Sequence, residues 1–101
     1  MSITTKMTND GEYHIFLEQT FDFNAISEFR VAYEQADRSK LKSIYLDFRN
    51  THYIDSSALG MLINMQKHMQ GYCSTYKIIN ANDQLRKIFL ISHFDKKFEI
   101  A

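Results

Sequence analysis

An acidic residue and two hydroxyls stand together mid-chain, Asp55-Ser56-Ser57, just before a stretch whose apolar residues recur at helical spacing. Asp and Ser at a helix start accept hydrogen bonds from first-turn N–H groups that have no intrahelical partner, so capping is the plain role of these residues. The same place can also take on chemistry. A helix N-terminus offers free N–H groups and partial positive charge, and a phosphate carried by Ser56, or second by Ser57, fits there. It would add roughly −1.5 to −2 charges at pH 7, altering the surface more than the fold.

Other residue types in reach of chemistry lack the spacing for it. His14, His52, His68 and His93 have no HExxH arrangement and Cys73 has no CxxC partner, so no zinc site is expected. His52, Asp55 and Ser56 are triad types, but Ile54 and Ala58 stand where a Gly-x-Ser-x-Gly elbow requires glycines, which argues against a serine hydrolase. Three glycines and no proline leave no phosphate-cradling glycine loop and no PxxP ligand. No catalytic residue, metal or cofactor is therefore assigned. Arg86-Lys87 with Lys96-Lys97, and Arg38, Lys40 and Lys42, read as solvated surface.

The elements that must position Asp55-Ser56-Ser57 follow from patterning. Residues 3–8 read as a weak strand, Asn9-Asp10-Gly11 as a turn and residues 12–18 as a second strand, forming a hairpin. Asn24 is expected to cap a helix carrying Ala25, Ile26, Phe29, Ala32, Tyr33 and Ala36 on one face, to about Asp37. Residues 43–50 form the clearest strand, Ile44, Leu46 and Phe48 alternating with Tyr45, Asp47 and Arg49. After Asp55-Ser56-Ser57 comes a helix with Ala58, Met61, Leu62, Met65 and Met69 as a core stripe, ending at Gly71. Residues 75–80 make a strand, Asn82 caps a third helix through Ser92, and residues 97–100 a short last strand. Alternation of this kind predicts an α/β fold: a mixed sheet of four to five strands, the N-terminal hairpin followed by parallel strands joined by right-handed crossover helices. Ligands and partners of such sheets meet the loops beyond the carboxyl ends of the strands, and residues 49–57 are one of these loops.

The chain has 101 residues, a length that fits one domain over 1–101. The scaling of surface with mass gives about 5,900 Å² for the folded form, burying roughly two thirds of the unfolded surface. Twelve basic and twelve acidic side chains cancel, and the halves differ only by six against eight and six against four. That balance argues against nucleic acid or a membrane surface as partner. No apolar run reaches the roughly 20 residues of a bilayer span. One cysteine and no leader-like N-terminus place the protein in the cytoplasm.

Tyr45-Leu46-Asp47-Phe48 followed by Ile54-Asp55-Ser56-Ser57-Ala58-Leu59-Gly60 resembles the signature of the STAS domain, a module of sulfate transporters and bacterial anti-sigma-factor antagonists. The likeness runs from Leu17 through Thr20-Phe21-Asp22 to Leu85-Arg86-Lys87-Ile88-Phe89 and Ser92. It implies the STAS fold and a phosphorylation-switched interaction module in which Ser56 is the serine phosphorylated by a partner kinase. Asp55 is the carboxylate beside it, Asp22 an acidic neighbour and Ser57 a structural hydroxyl, with Ala58, Leu59 and Gly60 completing the partner surface. Implied partners are an anti-sigma factor or serine protein kinase and a metal-dependent serine phosphatase, separate or fused in one response regulator. The implied alternatives are control of biofilm or motility through such a regulator, and an unswitched structural or ligand-sensing subunit. The chain itself is then a substrate rather than an enzyme. Ala58, Gln19 and His93 stand where the family carries glycines, and the family's C-terminal helix is missing or much reduced.

Overall fold

The turn at Asn9-Asp10-Gly11 closes as its composition predicts, and Gly11 is indispensable to it. Its φ is +84°, and a Cβ there would lie 2.6 Å from the Lys40 carbonyl oxygen. The turn joins strands β1 (Thr4–Met7) and β2 (Glu12–Phe16), which pair antiparallel. The computed structural model describes residues 3–101. After the hairpin come β3 (Thr20–Phe21), a 3-10 turn at Phe23–Ala25, α1 (Ile26–Glu34), β4 (Ser43–Asp47), β5 (Tyr53–Ile54), α2 (Ser56–Met69), β6 (Thr75–Ile79), α3 (Asp83–Ile91), a second 3-10 turn at Phe94–Lys96, and β7 (Glu99–Ile100).

Five strands form one mixed sheet in the order β1-β2-β4-β6-β7, the last four parallel, as the patterning predicts. Alternation decides which side chains face the helices. Tyr13, Ile15, Ile44, Leu46, Tyr76 and Ile78 are buried, while their strand neighbours are only partly so, except Asp47. Met61, Met65 and Met69 line the buried side of α2 with Ala58 and Leu62, so the methionine stripe is core. Phe21, Phe29, Phe48 and Phe89 pack by edge or tilted contacts with centroids 5.1–6.2 Å apart, tying the loop after β2 and the loop after β4 to α1 and α3. The accessible surface is 5829 Å², close to the value expected from chain length.

Four expectations need correction. Asn24 caps nothing. Asp22 Oδ1 accepts the Asn24 N–H at 3.0 Å and caps the 3-10 turn, and α1 begins only at Ile26 without a side-chain cap. α1 also stops earlier, at Glu34 rather than Asp37. α2 ends at Met69, with the Tyr72 and Cys73 N–H groups donating to the Met69 carbonyl and no left-handed cap at Gly71. Finally, the second and fourth strands stop at Phe16 and Asp47, because the chain beyond them is drawn into a second, two-stranded sheet of β3 and β5.

Candidate functional site

The small parallel sheet is what assembles the site. Thr20 pairs with Tyr53 and Phe21 with Ile54, so the residues that follow, Asp22-Phe23 and Asp55-Ser56, leave the two strands side by side. Phe21 and Ile54 are buried and anchor both segments in the core. The hydroxyl of Thr51 donates to the Glu18 carbonyl at 2.7 Å, and the N–H groups of His52 and Tyr53 both donate to the Gln19 carbonyl. Gln19 supplies only its backbone there and its side chain is exposed, so the position does not need a glycine.

Asp55 holds the centre. Its backbone is extended, its Oδ1 accepts the Ala58 N–H at 2.9 Å to cap α2, and its Oδ2 accepts the Phe23 N–H at 3.3 Å. One carboxylate thus caps the helix and clasps the neighbouring loop. Ser56 is the first residue of α2 and exposed, and Ser57 is half-buried. Ala58 is fully buried, Leu59 packs partly against the core, and a methyl group added at Gly60 would meet nothing within 4 Å. Asp22 is half-buried, its Oδ1 turned to Asn24.

Two side chains of this surface escape sequence reasoning. Phe23 is 64% exposed and Tyr53 56% exposed, on the two loops that the small sheet joins. The Phe23 N–H donates to Asp55, and Tyr53 lies two residues before it, so both exposed residues adjoin the capping carboxylate through the backbone. The signal in the sequence is an aromatic residue inside an otherwise polar loop.

Behind the site, Asp47 is 1% exposed although its place in the strand alternation faces away from the helices. Arg49 reaches it with Nε at 3.1 Å and Nη2 at 2.7 Å, and the Arg49 N–H and the Asn80 side-chain amide also donate to it. Asn80 takes a left-handed backbone, φ 60°, to aim its amide there. Burial pushes the Asp47 carboxyl up; the hydrogen bonds from Arg49 and Asn80 and the Arg49 charge outweigh it and hold the group below its ordinary value. This network fixes the end of β4, where the loop to Asp55 begins. Burial pushes the Cys73 thiol up from its ordinary value. Among the described residues no group of three or more His, Cys, Asp or Glu is placed to hold a metal ion, and no helix is long and apolar enough to cross a membrane.

A family model described as the STAS domain matches residues 5–101. The chain belongs to the STAS domain family. A STAS-domain containing protein of Pseudomonas aeruginosa (strain UCBPP-PA14) is 38% identical over 102 residues, covering 100% of each chain. A STAS anti-sigma-factor antagonist domain protein of Planctomyces limnophilus has a similar structure, with TM-score 0.80 at 13% identity over 99% of this chain and 89% of that one. The anti-sigma factor antagonist SpoIIAA in its unphosphorylated form aligns with TM-score 0.71 at 19% identity, over 89% of this chain and 83% of that one. The five-stranded mixed sheet with its three helices is the STAS fold.

Proposed function

We propose that this STAS domain is a phosphorylation-switched interaction module acting as an anti-sigma-factor antagonist, with Ser56 as the switch. The observation that carries this reading is the exposed Ser56 at the first turn of α2, beside a carboxylate committed to capping, with the exposed Phe23 and Tyr53 on the two loops that the small sheet joins. The fold relative SpoIIAA has been solved both unphosphorylated and phosphorylated, which supports a switch of this kind here. Unphosphorylated, the surface of Asp22, Phe23, Tyr53, Asp55, Ser56, Ser57, Leu59 and Gly60 docks on an anti-sigma factor or serine protein kinase in the cytoplasm. A phosphate on Ser56 places a dianion beside the Asp55 carboxylate, within the loop cluster that also carries Asp22. The partner must then desolvate three anionic groups at once, and affinity falls. The fold is left intact, because the Asp55 cap and the Ala58 packing do not involve the Ser56 hydroxyl. A metal-dependent serine phosphatase restores the docking form, ATP and Mg²⁺ belonging to the kinase.

The test is affinity capture with the Ser56→Ala and Ser56→Asp variants from the native host. Ser56→Ala should retain a partner kinase or anti-sigma factor in every growth condition, and Ser56→Asp should lose it. Equal capture by the two would contradict charge switching.

A further inference from the structure

The chain advances through the sheet order β1-β2-β4-β6-β7 in one direction: β2 to β4 by way of α1, β4 to β6 by way of α2, and β6 to β7 by way of α3. Right-handed crossovers that all advance the same way put every helix on the same face. The side chains agree. The Tyr13 hydroxyl donates to the Ala32 carbonyl of α1, and the Tyr76 hydroxyl lies 3.5 Å from the Gln66 carbonyl of α2, so both helices cover the Tyr13 and Tyr76 face. The opposite face has no helix over it among the described elements, whereas sheets built mainly from parallel strands are ordinarily covered on both sides.

The strand registers lay out this open face. Lys6, His14, Tyr45, Lys77 and Glu99 form one row across all five strands, with Tyr45 on the central one. His14 stacks on Tyr45 at 4.5 Å, and Lys77 Nζ sits 5.3 Å from the Tyr45 ring centroid and 3.5 Å from a Glu99 carboxylate oxygen. Glu12, two residues before His14, accepts from the Tyr45 hydroxyl at 3.3 Å and lies 3.3 Å from His14 Nε2. On one side of Tyr45 the order from the edge is therefore cation then carboxylate, Lys6 then Glu12; on the other it is carboxylate then cation, Glu99 then Lys77.

We infer that two copies of this chain associate through the open face, about a two-fold axis lying between the sheets and parallel to the strands. That axis sets β1 of one copy over β7 of the other, with Tyr45 near the centre. Lys6 then meets Glu99 of the second copy, and Glu12 meets Lys77, each contact occurring twice. The other face-to-face two-fold, perpendicular to the strands, would put β1 over β1 and bring Lys6 to Lys6 and Glu99 to Glu99, which is repulsive. The charge order thus selects one of the two symmetric arrangements, and an aligned packing of sheets accommodates their twist. Five strands spaced about 4.8 Å apart, five residues long in β2, β4 and β6 and shorter at both edges, give a footprint of roughly 330 Å² per copy, under half of the usual ~800 Å² per partner, so the dimer is weak and concentration-dependent. Because this axis preserves strand direction, both Ser56 loops point to the same end of the pair, where a two-fold partner can engage them together.

Sedimentation velocity of the full chain from about 10 µM to about 1 mM tests the arrangement over the range of weak association. Reversible dimerisation weakening with salt is expected. Lys6→Glu alone and Glu99→Lys alone should each weaken it on the order of tenfold or more, since two contacts turn from attractive to repulsive. An equimolar mixture of the two variants should regain association, because each then meets its opposite charge. Unchanged thermal midpoints of both variants separate this result from misfolding. A monomer across the whole range, variants that dimerise as the parent does, or a mixture that fails to regain association each overturns the inference.

Discussion

Replacing Asp47 with Ala probes the scaffold that holds the Ser56 loop. The carboxylate is 1% exposed and receives hydrogen bonds from the Arg49 guanidinium, the Arg49 N–H and the Asn80 amide. Removing one partner of a buried ion pair typically destabilises by about 3–5 kcal/mol, because the other charge is stranded. Here the Arg49 side chain is 59% exposed and Asn80 lies at the surface, so both donors regain water and the expected loss falls to about 2 kcal/mol. In a chain of this length that lowers the unfolding midpoint by roughly 8–16 °C. The loss also carries a pH signature. With burial outweighed by its donors, Asp47 titrates below its ordinary value in the folded protein. Its stabilisation is therefore fully present above the unfolded carboxyl pKa of about 4 and is lost as pH falls through the lower folded value. Urea unfolding of parent and Asp47→Ala, followed by far-UV circular dichroism, should give a constant stability gap from about pH 5 to 8 that narrows below about pH 4. A gap under about 0.5 kcal/mol at neutral pH, or one that widens on acidification, would refute the reasoning.

Asp55→Ala should destabilise by about 1 kcal/mol through loss of the Ala58 cap, while Asp55→Asn, which can still cap, should stay within about 0.5 kcal/mol of the parent in the same unfolding assay. His93, after α3, has φ 61°, a left-handed conformation that is strained for a residue with a Cβ. His93→Gly should therefore raise stability by about 0.5–1 kcal/mol, read as a higher thermal midpoint. Phe23→Ser removes a ring that is 64% exposed, so thermal stability should hold while affinity for the captured partner, measured by calorimetry, falls about tenfold or more.

The fold was legible in the sequence wherever a segment was long enough to display a period. Ile44, Leu46 and Phe48 declare a strand, and Ala58, Met61, Leu62, Met65 and Met69 declare a helix face, all of them buried as their spacing requires. β3 and β5 could not be read because two residues display no period. Their pairing is fixed by burial of Phe21 and Ile54 and by backbone bonds to Gln19, which are tertiary facts. Asp22 and Asn24 are equally good caps by residue type, and only the 3-10 turn that begins after Asp22 decides which of them caps. Asp47 faces away from the helices in the strand pattern, as a solvent-facing carboxylate should. Its burial comes from Arg49 and Asn80 folding over it, the latter 33 residues away in sequence. Asp55-Ser56-Ser57 was visible as a helix start from composition alone, but its closeness to Asp22 and Phe23 required the small sheet.

The central claim is that Ser56 carries the switch, and site-localised phosphopeptide mapping of the protein isolated from its native host under contrasting growth conditions tests it most directly. One phosphate is expected, on Ser56, with an occupancy that changes with condition and falls when the complex of the partner with the unphosphorylated protein accumulates. Absence of phosphate from Ser56 in every condition, with the partner still captured and released, would contradict it and leave the residue as the exposed first residue of a capped helix.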